Sequence, residues 1–163
     1  MVTVYVWTFR GKGVAWGHAS MQVDRTYLSW WPQQPGAVPS KLHRNIYQSV
    51  PFRDRRFEED CTAEGQPPDQ RIGLVGLDEK AIKDWWQSFG LTRDGVLYQG
   101  PLLAWSTLDR NCSTVVAHAL SIGLGEARAA KLKPWNLVWT PADVLEYARK
   151  IQAIGAAPAP TGG

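Results

Sequence analysis

Hydrophobic and polar positions alternate with a period of two from Thr3 to Phe9 (TVYVWTF), where β-branched and aromatic residues dominate, so a strand is expected there. Gly11 and Gly13 break it. Val14–Val23 (VAWGHASMQV) and Thr26–Pro32 (TYLSWWP) then read as two more strands joined around Asp24 and Arg25, completing an antiparallel meander. A two-residue turn there pairs Val23 with Thr26 and sets Ser20 opposite Ser29. Alternation puts Trp16, His18, Ser20 and Gln22 on one face with Tyr27, Ser29 and Trp31. Gly17, Ala19, Met21 and Val23, small and apolar, take the other face.

Periodicity is lost between Pro32 and Pro68, where Pro, Gly and charge accumulate and only NIYQSVPF hints at a strand. Residues 33–68 are expected to be an irregular cover that shapes access to a cleft. The densest charge run, RDRRFEED (Arg53–Asp60), is basic then acidic and reads as a solvated loop rather than a nucleic-acid patch. Arg71–Leu77 is a short strand. The period then lengthens: Ala81, Ile82, Trp85 and Phe89 make one face of a helix capped by Asp78 and stopped by Gly90. A second helix is expected from about Asn111 to Ser121, ending near Gly123, and a third over TPADVLEYARKI. There Thr140 caps, Pro141 takes the first turn, and Val144, Leu145 and Ala148 form the apolar stripe. The tail from 156 to 163 is expected to be disordered. Strands and helices are segregated, which points to an α+β fold in a single domain over residues 1–155.

Composition narrows the function classes. The chain has 163 residues, 44% hydrophobic and 20% charged, enough for one globular core, and nine Trp that default to core packing. A net charge of +3 is too small and too dispersed to suggest a nucleic-acid partner. No apolar run is long enough for a membrane span. The N-terminus lacks the order of a signal peptide, so the chain is expected to be made in the cytoplasm. Two cysteines, Cys61 and Cys112, have neither disulfide-framework nor metal spacing, and no metal or organic cofactor is expected.

Cys112 falls in the first turn of its helix, after Asp109 or Asn111 as cap, and shares the buried stripe of Val115, Val116, Ala119 and Leu120. A helix N-terminus favours a thiolate and a nearby imidazolium favours it further, which is what a nucleophilic cysteine needs. Backbone amides beside it suit an oxyanion. By position alone the default reading of Cys112 is a small buried hydrophobe. His18 stands on the polar face of the hairpin with Ser29 as a diagonal neighbour whose hydroxyl could orient the imidazole. His118 lies about 120° from the Cys112 face by helical spacing and is expected at the surface. His43 reads as a loop residue, and Cys61 as a bystander without a base.

The segments WGHASM…TYLSWWP, GLDEKAIKDWW, NCSTVVAHAL and WTPADVLEYA, taken in order, resemble a circularly permuted papain-like fold of the NlpC type. Lecithin:retinol acyltransferase-like proteins share that permutation, in which the His strand precedes an Asn-Cys helix. The pattern GHASM…SWWP…NCST also resembles effector domains delivered by bacterial type VI secretion. The resemblance spans about Thr3 to Ile151. It implies Cys112 as nucleophile and His18 as general base. Its third polar member, usually His, Asn, Gln or an acid on the strand after the His, is replaced here by Ser29.

The resulting expectation is a cysteine-dependent peptidase or amidase using Cys112, His18 and Ser29, with Trp31, Asn111 and Trp16 as substrate contacts. Its substrate would be a peptide or peptidoglycan. The resemblance further implies an antibacterial toxin, monomeric, delivered into a target cell and neutralised in its producer by an immunity protein. The same fold also serves lipid acyltransferases, thioesterases and glutamine deamidases. An exposed apolar rim beside the thiol would favour lipid work, and a polar open groove would favour murein. A non-catalytic binding domain is the alternative of a different class.

Overall fold

The computed structural model describes residues 1–10, 17–31, 56–88 and 111–155, together with the backbone of 91–93 and 96–98. Within them β1 (Val2–Trp7), β2 (His18–Val23), β3 (Thr26–Leu28) and β4 (Gln70–Leu74) form an antiparallel sheet in the order β3-β2-β1-β4. Helices α1 (Phe57–Glu64), α2 (Glu79–Ser88), α3 (Cys112–Leu124), α4 (Glu126–Leu132) and α5 (Pro141–Gly155) complete the α+β arrangement, with a separate antiparallel pair, β5 (Leu91–Arg93) and β6 (Val96–Tyr98).

The expected hairpin register is the observed one: Val23 pairs with Thr26, Gln22 with Tyr27 and Met21 with Leu28. Asp24 takes the left-handed conformation that the tight turn requires (φ 53°), which Asp tolerates better than most residues. β1 pairs Val4 with Met21 and Val6 with Ala19, so the apolar faces of both strands coincide. Against this face pack α2, α3 and α5, through Ile82 and Trp86, Val115, Val116, Ala119 and Leu120, and Val144, Tyr147, Ala148 and Ile151. Each such fully buried aliphatic side chain contributes about 1.5–3 kcal/mol. Asp78 caps α2 through the Ala81 amide (2.9 Å), and its own amide donates to the Gly123 carbonyl at 2.8 Å, tying α2 to the end of α3. Thr140 and Asp143 form a reciprocal cap on α5, as the TPAD spacing predicts.

The other face of the sheet is aromatic and polar, and there the structure corrects the sequence reading. The 33–68 segment is not irregular throughout: Phe57–Glu64 is a helix, and RDRRFEED ends inside it. Residues 32–55, including His43 and the weak strand at 45–52, lie outside the described residues, as does the tail from 156. The Phe57 ring seats between Tyr5, Trp7 and Tyr27, with centroids 4.7, 6.2 and 6.3 Å away. The chain leaving α1 is then fastened to the end of β1. Trp7 Nε1 donates to the Gln66 carbonyl at 2.8 Å, and the Thr8 amide and hydroxyl donate to Asp69 at 2.7 and 2.8 Å. Helix α4 and the β5–β6 pair have no counterpart in the periodicity reading. His118 is not a surface residue: it is half-buried against Trp85, ring centroids 5.0 Å apart, and burial lowers its pKa to about 4.

Gly17 is required where β2 begins. Its φ is +81°, and a Cβ there would meet the Trp7 carbonyl oxygen at 2.5 Å. Gly65, which ends α1 at φ +73°, has open space around it. Gly17→Ala is therefore expected to cost about 1–3 kcal/mol through left-handed strain, with the backbone clash added. Gly65→Ala carries the strain alone, about 1–2 kcal/mol. Urea unfolding midpoints of the two variants check this, and equal losses would refute the close approach at Gly17.

Candidate active site

His18 is the first residue of β2, immediately after the obligatory Gly17, and alternation turns it away from the Val and Ala face. It is 1% exposed. Its ring stacks on Trp31 (centroids 4.5 Å apart, planes at 29°) and tilts against Trp7 at 5.5 Å. Nε2 lies 3.1 Å from Ser29 Oγ and 3.1 Å from Asp60 Oδ2. Cys112 is close enough to the same ring to act on it electrostatically and favour its charged form. Nε2 is taken up by Asp60 and Ser29.

Asp60 is the residue that the sequence reading missed. It sits on α1, is fully buried, and collects donors from Tyr27 on β3 and from Ser29 and Trp31 in the extended chain that follows it, where the expected strand to Pro32 ends at Leu28. Tyr27 OH donates to Oδ2 at 2.7 Å, Ser29 Oγ to Oδ2 at 2.6 Å, and Trp31 Nε1 to Oδ1 at 2.7 Å. His18 is the fourth partner. Alternation brings Tyr27, Ser29 and Trp31 to one side, so one carboxylate can meet all three. The Tyr27 proton is committed to Asp60, and Ser20 Oγ, 2.6 Å from the phenol oxygen, therefore donates to it. Burial, then the Asp60 charge, push the Tyr27 phenol far above its usual range and keep it a donor.

A buried carboxylate accepts and does not donate, so Nε2 carries the proton in the Asp60 contact and Nδ1 is the basic nitrogen. Burial pulls the His18 pKa down, but Asp60 and Cys112 outweigh it and the net shift is upward from 6.5. The imidazolium is thus favoured by charges on both sides. Cys61, next to Asp60 in sequence, experiences the opposite: burial and then the Asp60 charge raise its thiol, leaving it protonated.

Cys112 opens α3. Asn111 is the N-cap, accepting the Thr114 amide on Oδ1 at 3.0 Å and donating Nδ2 to the Trp139 carbonyl at 2.9 Å. The thiol is half-buried rather than sunk in the apolar stripe. Its Sγ is 4.0 Å from Ser113 Oγ.

The structure brings together His18, Ser29 and Cys112 and adds Asp60. It does not support Trp31 and Asn111 as substrate contacts. Trp31 is 2% exposed, its ring covering His18 and its N–H spent on Asp60, and the Asn111 amide is spent on the cap and on Trp139. Trp16 lies outside the described residues. Trp30 and Trp86 are core residues, and Trp85 packs partly buried against the core. Among the described residues no group of three or more His, Cys, Asp or Glu could hold a metal ion.

The model of one protein family, described as the IcsB middle domain, matches residues 40–157, more than half of the chain. The matched span contains α1 with Asp60 and α3 with Cys112, and begins after the hairpin that carries His18 and Ser29. No curated protein and no solved structure matches the chain.

Asp60→Asn keeps the shape of the carboxylate and removes its charge. The His18 ring proton resonance is expected to titrate above 6.5 in the unaltered protein and at lower pH in the variant. The sign for stability follows. A histidine raised above its unfolded value stabilises fully below about pH 6.5 and loses that contribution as pH rises through the folded pKa. Asp60→Asn should flatten this dependence, and an unmoved His18 titration would refute the assigned contact.

Proposed function

The chain belongs to the IcsB middle domain family, and we propose that it is a cysteine-dependent hydrolase of acyl bonds that works through Cys112, His18 and Asp60. The observation that carries the reading is a buried imidazole with Asp60 at Nε2 and a half-buried thiol at a helix N-terminus that acts electrostatically on the ring. His18 Nδ1 takes the thiol proton, and the thiolate attacks the substrate carbonyl. Backbone amides at the start of α3 hold the oxyanion. As the tetrahedral adduct collapses, Nδ1–H returns the proton to the leaving amine and a thioester remains on Cys112. Water, deprotonated by the same nitrogen, adds to the thioester; the acid departs and the thiol is restored.

Asp60 and Ser29 divide the third role. The carboxylate supplies the charge that stabilises the imidazolium, and Ser29 holds the ring plane with a neutral hydrogen bond. Tyr27 and Trp31 are positioning residues that hold Asp60. The order of a histidine strand followed by an Asn-Cys helix supports a permuted papain-like fold of the NlpC type. With that resemblance and the family match, the chain is read as a domain of a secreted bacterial effector. An amide in peptidoglycan or protein is the substrate, and an immunity protein protects the producer.

A second reading, a lipid acyltransferase or thioesterase with the same nucleophile, is favoured by one observation. Trp135, Leu137 and Val138 are exposed just ahead of Trp139, whose carbonyl holds the cap of the cysteine helix. Exposed apolar side chains near the cap of the cysteine helix suit an acyl chain better than a glycan strand.

Cys112→Ala and His18→Ala should each lower kcat by about a thousand-fold or more, and the double variant no further, because the pair acts as a unit. Ser29→Ala removes one neutral hydrogen bond and should cost roughly three- to twelve-fold. Iodoacetamide should alkylate Cys112 well below the ordinary thiol pKa of about 8.5 and spare Cys61. Mass spectrometry of products from purified peptidoglycan and from acyl thioesters separates the two substrate readings. Near-wild-type turnover in either single variant, or equal labelling of both cysteines, would sink the proposal.

A further inference from the structure

Large apolar side chains are mostly buried among the described residues, but the connector between α4 and α5 departs from this. Within four positions, Trp135 is 87% exposed, Leu137 82% and Val138 39%. The connector is nonetheless held at both ends. The Lys133 amide donates to the Ala129 carbonyl at 2.8 Å, closing α4. Trp139 is buried, its ring 5.9 Å from Tyr147 and its carbonyl bonded to Asn111 Nδ2. Trp135 and Leu137 are thus near-fully exposed side chains on a segment tied down at each end.

The charge around them is of one sign. Arg128, Lys131 and Lys133 are exposed, and from Ala127 to Ala142 there is no Asp or Glu. The next acid, Asp143, is engaged by the Thr140 amide and hydroxyl at 2.8 and 2.6 Å. Lys133 Nζ stands 5.7 Å from the centre of the Trp139 ring, which keeps this cation beside the apolar connector.

We propose that this connector docks the protein on an anionic lipid bilayer. Trp135 and Leu137 enter the interfacial layer, where Trp rings are favoured, and Arg128, Lys131 and Lys133 meet the anionic headgroups. Exposed apolar side chains backed by uncompensated cations fit that surface, because a bilayer supplies both an apolar layer and a negative charge. The attachment is peripheral: no helix among the described residues is long and apolar enough to cross a membrane. Docking here also places the start of α3 next to the bilayer, since Trp139 holds Asn111. The proposal stands on exposure and charge and does not depend on the catalytic reading.

The whole chain is sedimented with sucrose-loaded vesicles of phosphatidylcholine, with and without phosphatidylserine. Binding is expected to the serine-lipid vesicles and to weaken as salt rises. The double variant Trp135→Ala with Leu137→Ala should bind about ten-fold or more weakly, and Lys131→Glu with Lys133→Glu should lose the preference for anionic lipid. These side chains are exposed, so the melting temperature should not change, and the salt series tests the unaltered protein without any substitution. Three results would overturn the proposal: no binding to either vesicle, equal binding by the variants, or a self-associating chain whose dimer, rather than vesicle binding, is lost with Trp135 and Leu137.

Discussion

A carboxylate removed from water must be surrounded by donors, and the polar side of this molecule is organised around that requirement at Asp60. An unpaired buried charge is strongly destabilising, and breaking such a pair typically costs about 3–5 kcal/mol. Here Tyr27, Ser29, Trp31 and His18 all point at the same two oxygens. Three of these four come from alternate positions following one tight turn, so the strand period and the turn length decide whether the site exists. A one-residue slip of the hairpin would turn all three side chains away and leave the acid uncompensated.

The docking of α1 answers to the same constraint. The helix has little apolar surface with which to hold itself on the sheet. Phe57 fills a gap among Tyr5, Trp7 and Tyr27, and the Gln66 and Asp69 contacts fasten the following turn to the end of β1. The opposite face of the sheet is ordinary core, aliphatic and helix-covered. Its task is to hold α3 so that the first residue of that helix reaches the first residue of β2. Gly17 contributes by letting the chain pass within a carbonyl's radius of Trp7 just before His18.

Much of this was legible in the sequence, and the part that was not has a physical cause. The hairpin register followed from a two-residue turn and alternation, and with it the placing of His18 beside Ser29. The caps of α2 and α5 were readable because Asp78 and Thr140 precede strongly amphipathic runs. Asp60 was hidden because α1 turns a phenylalanine and two acids inward: Phe57, Asp60 and Glu64, spaced three and four apart. Such a face has no apolar stripe, and the flanking charges make the whole segment resemble a solvated loop. The i, i+3 spacing of Phe57 and Asp60 was the available signal. Trp31 was expected at a cleft wall because tryptophan is common there, yet its N–H was needed by the buried acid. Helix α4 escaped because Gly125 ends α3 and α4 begins at the next residue, so no loop separates two periods.

His18 and Cys112 belong to opposite layers. The imidazole stands on the aromatic side of the sheet with α1, the thiol rides on a helix packed against the aliphatic side, and they meet only at the end of β2. Neither layer alone brings thiol and imidazole together. A chain in which α1 has not docked holds Cys112 beside a histidine with no carboxylate behind it, and a chain without α3 has an imidazole paired with Asp60 and no thiol. The Asp60, His18 and Cys112 arrangement is therefore complete only when the sheet is clad on both sides. On the proposed catalytic reading, activation of the Cys112 thiol reports completed assembly, because an incompletely folded copy has only an ordinary thiol there.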